Sequence, residues 1–185
     1  MILPIYLYGH PILQKVANDI SPDYPHLSEL LANMFETMAK VEGVGLAAPQ
    51  IGLSDRIVVI DLSSLAKDHP ECTDFKRVFI NGHILETSDE TCIIEEGCLS
   101  VPDIHEKISR PKWVRLQYLD ENLQPHEDVF DGYAARCIQH EHDHLEGIMF
   151  TEHASGMRKQ MFRAKLNRIM AGQVSCDYKV KKNKI

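Results

Sequence analysis

The sequence predicts a single α+β domain in which antiparallel strands and helices are segregated along the chain. Three observations lead there: an apolar stripe at helical spacing near the start, runs of two-residue alternation through the middle, and a second helical pattern entered after those strands. With 185 residues, 44% hydrophobic and 25% charged, the chain can bury one sizeable core and is short for two. Plentiful Leu, Ile, Val and aromatic residues exclude a disordered chain. No period of about 20–50 residues recurs, which excludes a repeat array.

Residues 26–41 place Leu27, Leu30, Leu31, Met34, Met38 and Val41 at spacings of three and four, one face of an amphipathic helix that Gly43 stops. Residues 56–61 have the pattern of a short buried strand, and the polar, turn-rich residues 62–74 that of a loop. Strands are predicted at 75–87 and 112–120; in the second, Val114, Leu116 and Tyr118 alternate with Arg115, Gln117 and Leu119. Residues 126–131 form a weaker strand pattern. From Tyr133 the pattern turns helical and runs to Leu145, with Asp131 placed to cap its start and Gly147 to end it. A last helix is expected around 154–170. No linker divides the chain, so residues 1–150 read as one domain and 151–185 as a basic C-terminal helix and tail.

The longest stretch without Asp, Glu, Lys or Arg is residues 1–14, interrupted by Pro4, His10 and Pro11. A membrane span needs about 20 mostly apolar residues, and a signal peptide needs a basic start and a small-residue cleavage site. Neither pattern is present, nor is an Arg-rich transit segment, so the expectation is a bacterial cytoplasm. Five cysteines at irregular spacing, with no CxxC pair, are expected to be reduced thiols with no disulfide partner.

Charge is unevenly spread. Residues 1–150 carry 11 Lys and Arg against 25 Asp and Glu, whereas residues 151–185 carry 9 against 2. A solvated helix face with a frayed tail is one reading of the basic end, and a docking element for a polyanion such as RNA is the other.

The most informative segment is His140-Glu141-His142-Asp143-His144. Residues four apart on a helix share a face, so His140 and His144 can ligate one divalent metal, and Glu141 beside them can take a proton from water held there. His142 points to the other side and is not counted as a ligand. The third ligand sets the class of site. A metzincin pattern fails at Phe150, and Glu146 and Glu152 lie too near the motif to serve as in a thermolysin-like endopeptidase. In Glu95-Glu96-Gly97-Cys98-Leu99-Ser100-Val101-Pro102, Gly97 allows a bend that would present Cys98 as a ligand. A small core residue is the competing reading, which suits Cys92 and Cys137 better. His153 is the spare residue for a closed, structural site in a non-catalytic ribosome-binding protein.

Residues 43–50, Gly-Val-Gly-Leu-Ala-Ala-Pro-Gln, match GxGxxA, with Asp61 downstream. A dinucleotide fingerprint must follow a strand and open a helix; here it follows a helix and meets Pro49, so the dinucleotide reading is rejected. A loop whose small residues let substrate approach the backbone fits better, with the Gln50 amide available as a donor.

Taken together, GVGLAAPQ at 43–50, EGCLS at 96–100 and QHEHDHLEG at 139–147 resemble the three signature motifs of the peptide deformylases, in that family's order. The resemblance covers residues 1 to about 150 and departs locally at Gln14, where Arg is frequent, and in 62–74. It implies antiparallel sheets wrapped around a central HExxH helix, with a variable C-terminal helix. It also implies one divalent metal on Cys98, His140 and His144, with a fourth position left for water. The family usually works with Fe2+; Zn2+, Ni2+ or Co2+ suit the same donors. The implied reaction hydrolyses the N-formyl group from formyl-methionyl nascent peptides and releases formate. Glu141 is then the general acid–base, and the Leu99 N–H and Gln50 amide are oxyanion donors. Gly43, Val44, Gly45, Ile94, Glu96, Gly97 and Cys137 contact substrate, with Arg136 and Tyr133 making the rim of the methionine pocket more polar. The basic residues Arg158, Lys159, Arg163, Lys165, Arg168, Lys179, Lys181, Lys182 and Lys184 are then expected to dock on the ribosome surface.

Overall fold

A computed structural model describes residues 1–182. In chain order it contains β1 (Ile5–Tyr6), α1 (Leu27–Lys40), β2 (Gly45–Ala47), β3 (Ile57–Asp61), β4 (Lys76–Thr87), β5 (Thr91–Cys98) and β6 (Val101–Pro111). There follow β7 (Trp113–Leu119), β8 (Pro125–Asp131), α2 (Gly132–Leu145), α3 (Gly156–Met170) and β9 (Val180–Lys181). Of the basic tail, Lys184 lies outside the described residues.

Five strands form one antiparallel sheet in the order β2-β3-β4-β7-β8. Its alternating pattern is real: Val114, Leu116 and Tyr118 on β7 are buried, whereas Gln117 between them is exposed. The two buried faces of β3 divide its residues between two apolar clusters. Val58 and Ile60 face α2 with Ala135, Ile138 and Leu145, and Ile57 and Val59 face α1 with Leu31, Met34 and Met38. A strand covered on both sides reads as a continuous apolar run, as RIVVID does. Helix α2 is accordingly buried without a break from Ala135 to Glu141, which makes the metal-motif helix the centre of the molecule.

Two boundary expectations change in detail. Helix α1 does end before Gly43, but the left-handed residue that turns the chain is Glu42, at φ 55°. Asp131 occupies the position before α2, yet its side chain makes no capping hydrogen bond. Gly147 ends α2 as expected, at φ +73°, and a Cβ there would lie 2.7 Å from the Gln14 backbone. The 62–74 segment is irregular, with two short 3-10 turns at Ser63–Leu65 and Pro70–Cys72.

Larger corrections concern 43–50 and 91–111. The glycine loop contains a short edge strand, β2, whose Gly45 pairs with Ile60, followed by a 3-10 turn at Ala48–Ile51. Strands β5 and β6, which sequence patterning does not reveal, form an antiparallel hairpin. Cys98 ends β5 rather than sitting within a bend, and the register shifts between Gly97, opposite His105, and Cys98, opposite Val101. The left-handed residue at this bulge is Asp103, at φ 62°, and Gly97 is not in that region.

Among the described residues, the C-terminal segment packs onto the rest of the domain. Phe162 and Ile169 of α3 are buried against Leu7, Val101, Ile104 and Ile108. Beyond α3, β9 pairs in parallel with β1, and Ile5 N–H donates to the Lys179 carbonyl at 2.9 Å. No helix among the described residues is long and apolar enough to cross a membrane.

Candidate metal centre and active site

Helix α2 and the end of β5 bring three soft or borderline donors together. Cys98, His140 and His144 offer ligand atoms that all lie within 4.8 Å of one another. Cys98 Sγ is 3.3 Å from His144 Nε2, and the two imidazole rings are 5.2 Å apart. Burial alone would push the Cys98 thiol up, but the charge and hydrogen bonds of His144 and His140 outweigh it and bring it down to about 5. A thiolate facing two ring nitrogens is a donor set for a divalent transition metal. Two further atoms show the fit: Glu141 Oε2 and His144 Nδ1 are buried with no hydrogen-bond partner among the described residues. A deeply buried polar atom left this way is what a site built for an ion and its water contains.

The ligands are held by a second set of charges. His140 Nδ1 lies 2.8 Å from Glu96 Oε2, which fixes the ring so that Nε2 faces the site. Glu96 in turn accepts from Arg110 at 2.6 and 3.0 Å and from Arg136 at 2.7 Å. Arg110 also donates to Asp143 at 2.8 Å. Burial would raise the Glu96 carboxyl; hydrogen bonds from His140 and Arg110 hold it well below the carboxylate range. The ring of Phe150, the residue that breaks the metzincin pattern, stacks on His140 at 5.7 Å.

The residues weighed as other ligands are engaged elsewhere. Glu146 bonds Arg56 at 2.7 Å, Glu152 accepts from the Met149 N–H at 3.0 Å, and His153 sits 2.7 Å from Asp143. His142 points away, 3.2 Å from Arg56, and burial with that guanidinium lowers it to about 4. Cys137 packs in the core, whereas Cys92 is half-buried on β5.

Beside the donors lies a cavity of about 360 Å³. Gly43, Val44, Gly45, Ile94, Glu96, Gly97 and Cys137 all line it, as do Gln50, Leu99 and Glu141. Gly45 sits so close to Glu141 that a Cβ would approach Oε1 to 2.4 Å; only glycine leaves room for that carboxylate. Burial pushes the Glu141 carboxyl up, against the pull of His140 and His144. The Gln50 amide is oriented by the Ala47 N–H, which donates to Oε1 at 2.9 Å, leaving Nε2 near Cys98 Sγ at 3.5 Å and Ser100 Oγ at 3.4 Å.

Residues 2–160 match the family model for polypeptide deformylase. The chain belongs to the polypeptide deformylase family. It is 45% identical to a peptide deformylase of Flavobacterium johnsoniae, over 98% of this chain and 96% of that protein. A peptide deformylase of Christiangramia forsetii is 44% identical over the same shares. Among solved structures, a peptide deformylase from Legionella pneumophila superposes with a TM-score of 0.80 at 35% identity, covering 94% of this chain and 98% of that one. One from Plasmodium falciparum gives 0.81 at 34%, covering 91% and 95%. The α+β fold, the Cys/His/His metal site and the metal-dependent amidohydrolase activity of the family therefore hold for this chain.

Other cavity residues escape sequence reasoning. Leu62 and Leu65 line it from the segment read as a loop; their three-residue spacing in a polar stretch was the available signal. Arg110, which steers Glu96, carried no signal, because its partners are distant in the chain. Tyr178 lines the cavity from the C-terminal segment, and nothing in its neighbourhood marks it.

Proposed function

We propose that this family member removes the N-formyl group from formyl-methionyl nascent peptides with Glu141, Gln50 and Leu99 as its working groups. The observation that carries the reading is the meeting of Cys98, His140 and His144 beside a buried, unpartnered Glu141 Oε2 at the wall of a cavity. Cys98, His140 and His144 would hold one divalent ion, which when bound polarises the carbonyl and lowers the pKa of water. Glu141 takes a proton from the attacking water and delivers it to the departing amine as the C–N bond breaks. The Leu99 N–H and Gln50 Nε2 donate to the oxygen that gains charge; such a donor contributes about 3–4 kcal/mol to the transition state. Gly45 and Gly43 offer main chain to the peptide, and Val44, Ile94 and Cys137 face the methionine side chain. Glu96 acts behind them, through His140.

Fe2+ is assigned as the working ion, with Zn2+, Ni2+ or Co2+ able to replace it on the same thiolate and imidazoles. The bacterial relatives and the reaction support a cytoplasmic place. Docking on the ribosome is supported by α3, where Lys159, Arg163 and Arg168 are exposed. Arg158 is less suited to docking, because it bonds Glu106. Charge reversal at Lys159, Arg163 and Arg168 should abolish co-sedimentation with ribosomes at low salt; undiminished pelleting would end the docking idea.

Formate release from formyl-Met-Ala-Ser under anaerobic Fe2+ tests the reaction. Glu141→Ala should keep its metal and lose at least about 100-fold in kcat. A fully active variant would remove Glu141 from the mechanism.

A further inference from the structure

The segment that follows α3 returns to the site. Residues 171–182 run back to β1, and just before β9 the Tyr178 hydroxyl donates to the Leu99 carbonyl at 2.7 Å. This bond spans 79 positions of sequence and joins the approach to β9 to the turn between β5 and β6. That turn is otherwise tied on its far side. Ser100 O accepts from the Tyr8 N–H at 2.8 Å, and Ser100 Oγ lies 3.4 Å from Gln50 Nε2. Leu99 itself is the residue whose N–H is assigned to the oxyanion, and its carbonyl has no place in the β5–β6 ladder. The Tyr178 ring packs in the same apolar cluster as Leu99 and is held by the β1–β9 pairing two residues on.

We propose that Tyr178 is a positioning residue for deformylation, clamping the Leu99 carbonyl so that the Leu99 N–H stays aimed at the oxyanion. An oxyanion donor is effective only when fixed before the charge develops, so a clamp on its own residue acts on the transition state and hardly on the bound substrate. The segment carrying this clamp lies beyond residue 160, where the family model ends. The proposal rests on the assignment of Leu99 and Gln50 to the oxyanion.

Tyr178→Phe keeps the ring and deletes the hydroxyl. In the metal-loaded protein, kcat for formyl-Met-Ala-Ser should fall about 5- to 10-fold, the size of one lost hydrogen bond, with KM within about 2-fold of the parent. Amide hydrogen exchange at Leu99 and Ser100 should quicken while α2 is unaffected, and metal content and Tm should match the parent. Parental kcat in Tyr178→Phe overturns the proposal, as does a kcat loss that tracks loss of metal or a lowered Tm. Gln50→Ala, measured alongside, separates the two levels. If it is impaired while Tyr178→Phe is not, the clamp alone fails; if it keeps parental kcat, the oxyanion assignment fails and the clamp with it.

Discussion

At the residue scale, His140 is held in place because the charges behind it are paired. Glu96 is the hinge of that arrangement, since His140, Arg110 and Arg136 all converge on its two oxygens. Removing it strips the orienting acceptor from a metal ligand and leaves two guanidiniums short of a counter-charge. Glu96→Ala should therefore weaken metal binding about 10- to 100-fold, read by chelator competition. Chemical denaturation of the same variant should show a loss of about 3–5 kcal/mol. Gly45 is as exacting for a steric reason: Gly45→Ala would press a methyl into Glu141 Oε1, 2.4 Å away. Displacing the proposed base should cost about 100-fold in turnover, and the far-UV spectrum should be unchanged. The metal motif and Gln50 were legible in the sequence because helical spacing and residue type declare themselves locally. Glu96 was expected to contact substrate; it does line the cavity, but its carboxylate is spent on His140, Arg110 and Arg136.

At the element scale, legibility followed burial pattern. Strands β3, β4 and β7 and helices α1 and α2 present apolar faces at the period of their backbone, so the residue pattern located them. The β5–β6 hairpin did not, because its inward positions include Glu96, Glu106 and Arg110, all buried, where a core-facing strand would carry Val or Ile. Those charges are satisfied across elements, by α2 and α3, and such pairing is invisible in a linear pattern. The end of α2 makes a separate prediction. Gly147 stands at φ +73° against the Gln14 backbone, so Gly147→Ala meets both a disfavoured conformation and a 2.7 Å contact. It should destabilise the fold by about 1–3 kcal/mol, visible as a lowered Tm. Equal Tm values would mean that the chain relaxes around Gln14.

At the scale of the whole molecule, the described part of the C-terminal segment, residues 151–182, is structural as well as basic. Phe162, Ile169, Val174 and Val180 close an apolar cluster with Leu7, Leu13 and Ile108. Truncation after Phe150 should consequently yield an insoluble or unfolded chain, checked by circular dichroism, and cannot serve as a clean test of ribosome docking. The alkaline limb of stability is also set by tertiary contacts. Burial and the bond to Asp55 push the Tyr24 phenol up to about 12, and burial with Asp128 pushes Tyr118 up as well. A phenol whose pKa is raised by folding stabilises the native state fully below its unfolded value near 10 and loses that contribution as pH climbs through the folded one. Stability should thus fall between about pH 10 and 12, and Tyr24→Phe should flatten that fall in denaturant midpoints taken across the range.

From its sequence alone this chain declared its class, its central helix and the residues able to hold a metal, because those depend on spacing within one element and on the chemistry of a few side chains. Tertiary structure decided how Cys98 meets the two histidines, which charges orient them, and that the tail returns to touch Leu99. Those facts depend on distances between residues dozens of positions apart, and such distances exist only once the apolar faces have been buried against one another.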